Sequence, residues 1–233
     1  MALTCLQIIQ TVAKRVGLTA PTSAIGSTIT DIIQLIALCE EEGQEQARYP
    51  YQVLQQEATF TTAATQIQST LAACTTGFGY IVNDTIWNRT LRRPVYGPST
   101  QQSWQQQKAM QINGPFNTFR IQNGNINFYP TPVAGQSCYF EYISKNWITL
   151  NGGGTSSTFA NDADVPMLDD QLVTLGTIWR YKAAKGLSYS EDFAKYERQR
   201  MDIEARDASK PILSMGGAMY DVQPVILVPR GNW

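Results

Sequence analysis

The chain has no histidine. That absence removes histidine general bases, Ser-His and Cys-His nucleophilic systems, and the zinc patterns that combine histidine with cysteine. Cysteine is scarce as well: Cys5, Cys39, Cys74 and Cys138 lie far apart with no Cys-x-x-Cys pair. Reduced, buried thiols fit that spacing better than a disulfide framework. Charged residues make up only 16% of the chain, against a usual value of about 25%. Their balance is near neutral, with a formal net charge of -1 at pH 7, which argues against a domain built to neutralise many phosphates of duplex DNA. Long apolar runs are missing too. No window approaches the roughly 18 apolar residues of a membrane span, so no membrane partner is expected. The first residues also lack the charged region, apolar run and small-residue cleavage site of a secretory signal, so no export route is expected.

What the chain has is neutral polarity. Gln, Asn and Thr abound, and a surface of such groups is desolvated more cheaply than one rich in Lys and Glu. That suits a surface to be covered by other proteins, although a merely polar exterior fits equally well. With 233 residues the chain can bury on the order of 70% or more of its unfolded surface without staples.

Thr4 and Gln7 form a capping box, and Leu6, Ile9, Val12 and Val16 follow at helical spacing up to Gly17, predicting a first helix. After a loop holding Pro21 and Gly26, a second helix carries Ile32, Ile33, Leu35, Ile36 and Cys39, with Glu40, Glu41 and Glu42 turned outward before Pro50. From Tyr51 the texture becomes β-branched and aromatic, as in 57–62. Across 119–128 the Asn123-Gly124 pair predicts a type I′ hairpin that sets Ile121 opposite Ile126 and Phe119 opposite Phe128. The run 137–143 reads as a third strand of the same sheet, and Ser99 with Gln102 predicts a short helix carrying Trp104. Asn151 to Ser157 reads as a flexible loop. Asp164 and Pro166 then open a helix that ends at Gly186, with Trp179 in the core and Arg180, Lys182 and Lys185 on the wet face. A last helix starts near Ser190 and finishes before Pro211. Helix capping explains Asp162, Asp164, Asp169 and Asp170 more simply than a cation site does.

The fold class is therefore α+β. A helical lobe is expected from 1–50 and 160–207, a small antiparallel β-rich lobe with one short helix from 51–150, and an extended C-terminal arm from 208–233. The arm's one apolar stretch, Val225, Ile226, Leu227 and Val228, is too short to build its own core and has to dock elsewhere.

Two blocks stand out: Asp84-Thr-Ile-Trp-Asn-Arg-Thr-Leu-Arg-Arg-Pro-Val-Tyr-Gly-Pro98 and Leu175-Gly-Thr-Ile-Trp-Arg-Tyr-Lys-Ala-Ala-Lys-Gly-Leu187. Each mixes Trp, Tyr and Arg as protein interfaces do, and neither is built like a catalytic site. Together with Trp104, Lys108-Ala109, the run from Gly124 to Pro132, Glu141-Tyr-Ile-Ser-Lys-Asn-Trp147 and Tyr189-Ser-Glu-Asp-Phe193, they resemble the head-to-tail adaptor proteins of short-tailed bacteriophages. These are also called head-completion or tail tubular A-like proteins. The resemblance covers roughly residues 27–207. It implies a structural virion protein with no catalysis and no cofactor. Its copies would form a ring, typically twelvefold, under the portal protein after DNA packaging, and would seat the tail nozzle (tail tubular B-like) protein. Tail fibres are a further candidate partner, DNA only passes through the lumen, and the ring helps to retain it. The place implied is the neck of the virion, after assembly in the host cytoplasm.

Under that resemblance Arg89, Arg92 and Arg93 have three readings: pairing with carboxylates of an adjacent subunit, contact with DNA in the lumen, or a solvated loop. Tyr96, the stretch 225–228 and Trp233 complete the expected subunit or portal interface. The rival class is a tail-associated glycan hydrolase using two carboxylates, with Glu57, Asp84 and Glu141 as the residues in or near the β-rich region.

Overall fold

The computed structural model describes residues 2–111 and 114–207. The expected arm, with Val225, Ile226, Leu227, Val228 and Trp233, lies outside them.

Helix α1 (Cys5–Arg15) opens on the complete Thr4–Gln7 capping box and ends before Gly17, whose φ of +81° continues no helix. Its buried stripe is Cys5, Ile8, Ile9, Val12 and Ala13; Leu6 and Val16 only flank it, so the core face is rotated from the expected one. Helix α2 (Thr30–Gln46) buries Ile32, Leu35 and Cys39, then Glu42, Gly43 and Gln46. Glu42 therefore points inward, not outward, while Ile33 is exposed.

The middle of the chain runs β1 (Gln55–Thr61), β2 (Ile67–Thr70), the one-turn α3 (Leu71–Cys74), β3 (Phe78–Ile81), β4 (Trp87–Asn88) and β5 (Arg93–Pro94). After α4 (Gln101–Met110) come β6 (Thr118–Gln122), β7 (Asn125–Tyr129), β8 (Ser137–Ser144), β9 (Ile148–Thr149), β10 (Thr155–Ser156) and β11 (Val165–Pro166). Helices α5 (Asp170–Ala184) and α6 (Ser190–Asp207) close the described chain. The architecture is α+β with antiparallel sheets.

The β6–β7 hairpin has the expected register, with Asn123 at φ +51° and Gly124 at φ +70° in the turn. Strand β8, however, is not its third strand. It runs at the centre of a separate sheet, flanked by β1 on one side and by β3 and β4 on the other, whereas β7 pairs with β2. The two sheets share one core, in which Phe119, Ile126 and Phe128 meet Cys138, Phe140 and Tyr142. Faces that both need burial stack more effectively than they join edge to edge.

Other boundaries also move. Thr100, not Ser99, caps α4 by accepting from the Ser103 N–H at 3.2 Å, because the Ser99 N–H is taken by the Phe119 carbonyl at 2.8 Å. Trp104 is buried as expected. The segment 151–157 is a tight hairpin, closed where the Leu150 N–H donates to Gly154 O at 3.0 Å, with Gly153 and Gly154 both at positive φ. Pro166 sits in β11, and α5 starts only at Asp170, capped by Asp169 accepting from the Leu172 N–H at 2.8 Å.

Asp164 does not start a helix because its carboxylate is already committed. It accepts backbone N–H bonds from Asn151 at 2.9 Å, Ala160 at 2.7 Å and Asn161 at 2.7 Å, while its carbonyl takes the first N–H of α1, from Cys5, at 2.8 Å. Asp162 gathers the 23–25 loop in the same way, accepting from Ser23 Oγ and from the Ala24 and Ile25 N–H groups. Burial opposes the charged form of both carboxyls, but these hydrogen bonds prevail and hold each below the ordinary Asp value of 3.8. As pH falls, the unfolded chain therefore takes up protons first. The stability these groups contribute is present above about pH 4 and is lost below it. Urea midpoints measured from pH 6 to pH 3 should drop steeply below about 4, and Asp164→Asn, costing about 2–4 kcal/mol at pH 6, should flatten that drop. An unchanged slope in the variant would remove Asp164 from this role.

The helical core is assembled where α2 crosses α5 and Trp147. Gly43 has no side chain because the Trp147 ring lies on it: a Cβ there would come within 2.2 Å of the indole. Trp147 is fully buried, donates Nε1–H to Ser157 O at 3.1 Å and meets Phe159 edge-on at 5.2 Å. Gly176, in the middle of α5, would place a Cβ 2.3 Å from the Glu42 carboxyl carbon. Ala is favoured over Gly in a helix by about 1 kcal/mol, so these two glycines are kept for space. Gly43→Ala and Gly176→Ala should each destabilise by about 2–4 kcal/mol in urea unfolding, against their helix propensity. A stabilised variant would contradict the close packing.

Candidate interaction surface

The first signature block forms a tight hairpin from β4 to β5. Asn88 organises it: its Oδ1 accepts from the Leu91 N–H at 3.0 Å and its Nδ2 donates to Gln136 Oε1 at 2.6 Å. Thr90 Oγ1 accepts from the Ser137 N–H at 2.9 Å, and Arg92 takes a φ of +54° at the turn. Leu91, Arg92 and Arg93 are thereby held out in solvent.

The three arginines part company here. Arg89 folds back onto its own sheet, its guanidinium 3.6 Å from the Tyr139 ring centroid and ion-paired with Glu57. Arg93 donates Nη1–H to Pro115 O at 3.3 Å and lies 5.9 Å from the Phe116 ring centroid. Arg92 has no ion pair among the described residues. Tyr96, 49% exposed, packs edge-on at 5.5 Å against Phe116, itself 42% exposed. One surface therefore joins Arg93, Tyr96 and Phe116, with Leu91 and Arg92 on the adjoining hairpin. Phe116 escaped the sequence reading: its partners lie 20 and more positions away, and only its aromatic ring in a Gly-Pro turn could have drawn notice.

The second block does a different job. Trp179 is partly buried among Tyr189, Phe193 and Tyr196, and so anchors the α5–α6 hairpin. Arg180 is not on a wet face. Its side chain is 11% exposed and is clamped by α2, donating to Glu42 Oε2 at 2.8 Å, to Glu41 Oε1 at 2.9 Å and to Glu45. Burial raises the Glu42 carboxyl above its ordinary value, against the opposing pull of the guanidinium. Lys182 and Lys185 are tied to Asp192 and Asp31.

The carboxylates of the rival reading do converge. Glu57 and Glu141 are direct cross-strand partners, and with Asp84 they line a cavity of about 250 Å³ beside Trp87 and Tyr139. Two of them are already engaged, Glu57 by Arg89 and Glu141 by the Gln55 amide. Burial pushes the Cys39 and Cys138 thiols up to about 12, which suppresses thiolate chemistry. Among the described residues no group of three or more Cys, Asp or Glu could hold a metal ion, and no helix is long and apolar enough to cross a membrane.

The sequence model of the SU10 adaptor protein family matches residues 3–215. The chain belongs to this family. No curated protein matches it. The match takes in both signature blocks, the hairpin surface and α1, and so reaches beyond the 27–207 covered by the resemblance to phage head-to-tail adaptors, with which it agrees. Membership makes the protein a structural adaptor of the phage particle, a component of the virion neck associated with other head and tail proteins.

Proposed function

We propose that copies of this adaptor form a ring, twelvefold in number, that joins the capsid portal to the tail nozzle and helps to retain the packaged DNA. The observation that carries this reading is the exposed cluster of Arg93, Tyr96 and Phe116 beside Arg92. Tyr, Phe and Arg are the residues interfaces concentrate, and a guanidinium without a local partner offers a bidentate bond to a neighbour's carboxylate. Arg92, Arg93 and Tyr96 make that subunit contact; Arg89, already paired with Glu57, supports the sheet beneath it. The helical lobe and the β-rich lobe stack around the ring, while residues 225–228 and Trp233 dock the arm on the portal or the next copy. DNA passes through the lumen, and tail fibres attach to the assembled neck.

Each contact is modest, and the ring gains strength from repetition, because portal binding makes neighbouring contacts effectively intramolecular. The isolated protein is then monomeric. Sedimentation and negative-stain microscopy of the chain mixed with its portal should show rings. Arg92→Glu/Arg93→Glu should remain folded and monomeric but fail to form them, while Arg89→Ala still assembles. Rings formed normally by the double variant would overturn the assignment.

A second reading, a glycan hydrolase, is favoured only by the shared cavity of Glu57, Asp84 and Glu141. Cell-wall degradation that Glu141→Gln abolishes would support it, and inert wild-type protein would dismiss it.

A further inference from the structure

A second groove lies away from the arginine hairpin. Helix α5 packs against α1, α2 and α6, and between the end of α1 and α6 a groove of about 590 Å³ remains open along it. Its floor is one stripe of α5, Gln171, Leu175, Ile178 and Lys182, whose spacings of four, three and four place them on a single helical face. One wall is a stripe of α6, Asp192, Lys195, Gln199 and Asp202, at spacings of three, four and three, with Arg198 alongside. Arg15, the last residue of α1, closes the end.

The acids in and beside this groove are already used. Asp192 pairs with Lys182, Glu191 with Lys195, and Asp202 with Arg206. Arg15 and Arg198 are both exposed and have no ion-pair partner among the described residues. Two guanidiniums thus face a groove whose α5 floor sets Leu175 and Ile178 between Gln171 and Lys182 and whose lining carries more cations than carboxylates.

We propose that this groove receives an acidic amphipathic segment of a partner protein, whose carboxylates pair with Arg15 and Arg198 while an apolar row rests on Leu175 and Ile178. Two parallel helical stripes form the track into which a partner helix lays one face. Guanidiniums pair with carboxylates and with phosphates alike, but Leu175 and Ile178 between the charged groups match the apolar row of an amphipathic helix and give a phosphodiester chain no partner. The chain's own segment 208–233 does not fit by charge, since it carries Lys210 and Arg230 against the single acid Asp221. This surface is separate from the proposed ring contact, so the two can fail independently.

The test is fluorescence anisotropy on the full chain with a labelled peptide of about two helical heptads, glutamate on one face and leucine on the other. Saturable binding is expected. Arg15→Glu/Arg198→Glu should weaken it by about tenfold or more, and Arg15→Gln/Arg198→Gln by less, with circular dichroism unchanged. Arg92→Glu/Arg93→Glu should bind as wild type does. If the glutamate variant does not fold, the glutamine variant decides. Absence of saturable binding, or equal affinity in the variants, would overturn the proposal. So would displacement by single-stranded DNA at lower concentration than by unlabelled peptide, because it would mark the groove as a phosphate site.

Discussion

A single turn of α2 sets the rest of the molecule in place. Within it Glu42 lies flat over Gly176 and binds the Arg180 guanidinium, Gly43 receives the Trp147 ring, and Gln46 donates to Glu42 and to Tyr196 of α6 while accepting from Tyr51. Three neighbours that are remote in sequence are thus held at one point: α5, the segment following β8, and α6. A buried ion pair is a poor source of net stability, because desolvation consumes much of the Coulomb gain. What it supplies here is register. An α2 slipped by one residue along α5 would leave a carboxylate buried without its cation and put a side chain where the indole must lie.

That junction accounts for the division of labour between the two signature blocks. The second, around Arg180, is consumed by the scaffold: Gly176 makes room, Arg180 clamps, and Trp179 anchors the turn to α6. The first spends Ile86 and Asn88 on the core and on the hairpin's hydrogen bonds, and then presents Leu91, Arg92 and Arg93 to solvent. A rigid frame behind exposed side chains lowers the entropy lost on association, which the proposed ring of repeated modest contacts would require.

Features fixed by neighbours in sequence were legible before the structure. The Thr4–Gln7 capping box and the Asn123-Gly124 turn each specify their own geometry within a few residues, and both stand as expected. Features fixed by remote partners were not. Glu42 reads as a solvated charge until Arg180 is brought to it, and Asp164 reads as a helix cap until the hairpin returns the Asn151 N–H to it beside those of its neighbours Ala160 and Asn161. Strand β8 alternates as any half-buried strand does, and nothing in that alternation says which sheet it joins. At the proposed interface, the turn residues around Arg92 mark it as exposed, whereas the union of Tyr96 with Phe116 depends on the bridge from Tyr96 to Thr118.

The claim that the Glu42–Arg180 contact organises the helical core is tested most directly by a double-mutant cycle in urea unfolding. Arg180→Met should cost about 3 kcal/mol by stranding the buried Glu42 carboxylate, Glu42→Leu should cost less because Arg180 keeps Glu41 and Glu45, and the double variant should cost far less than their sum, with a coupling of about 2 kcal/mol. Strictly additive losses would show that the two side chains act independently and that α2 is positioned by something else.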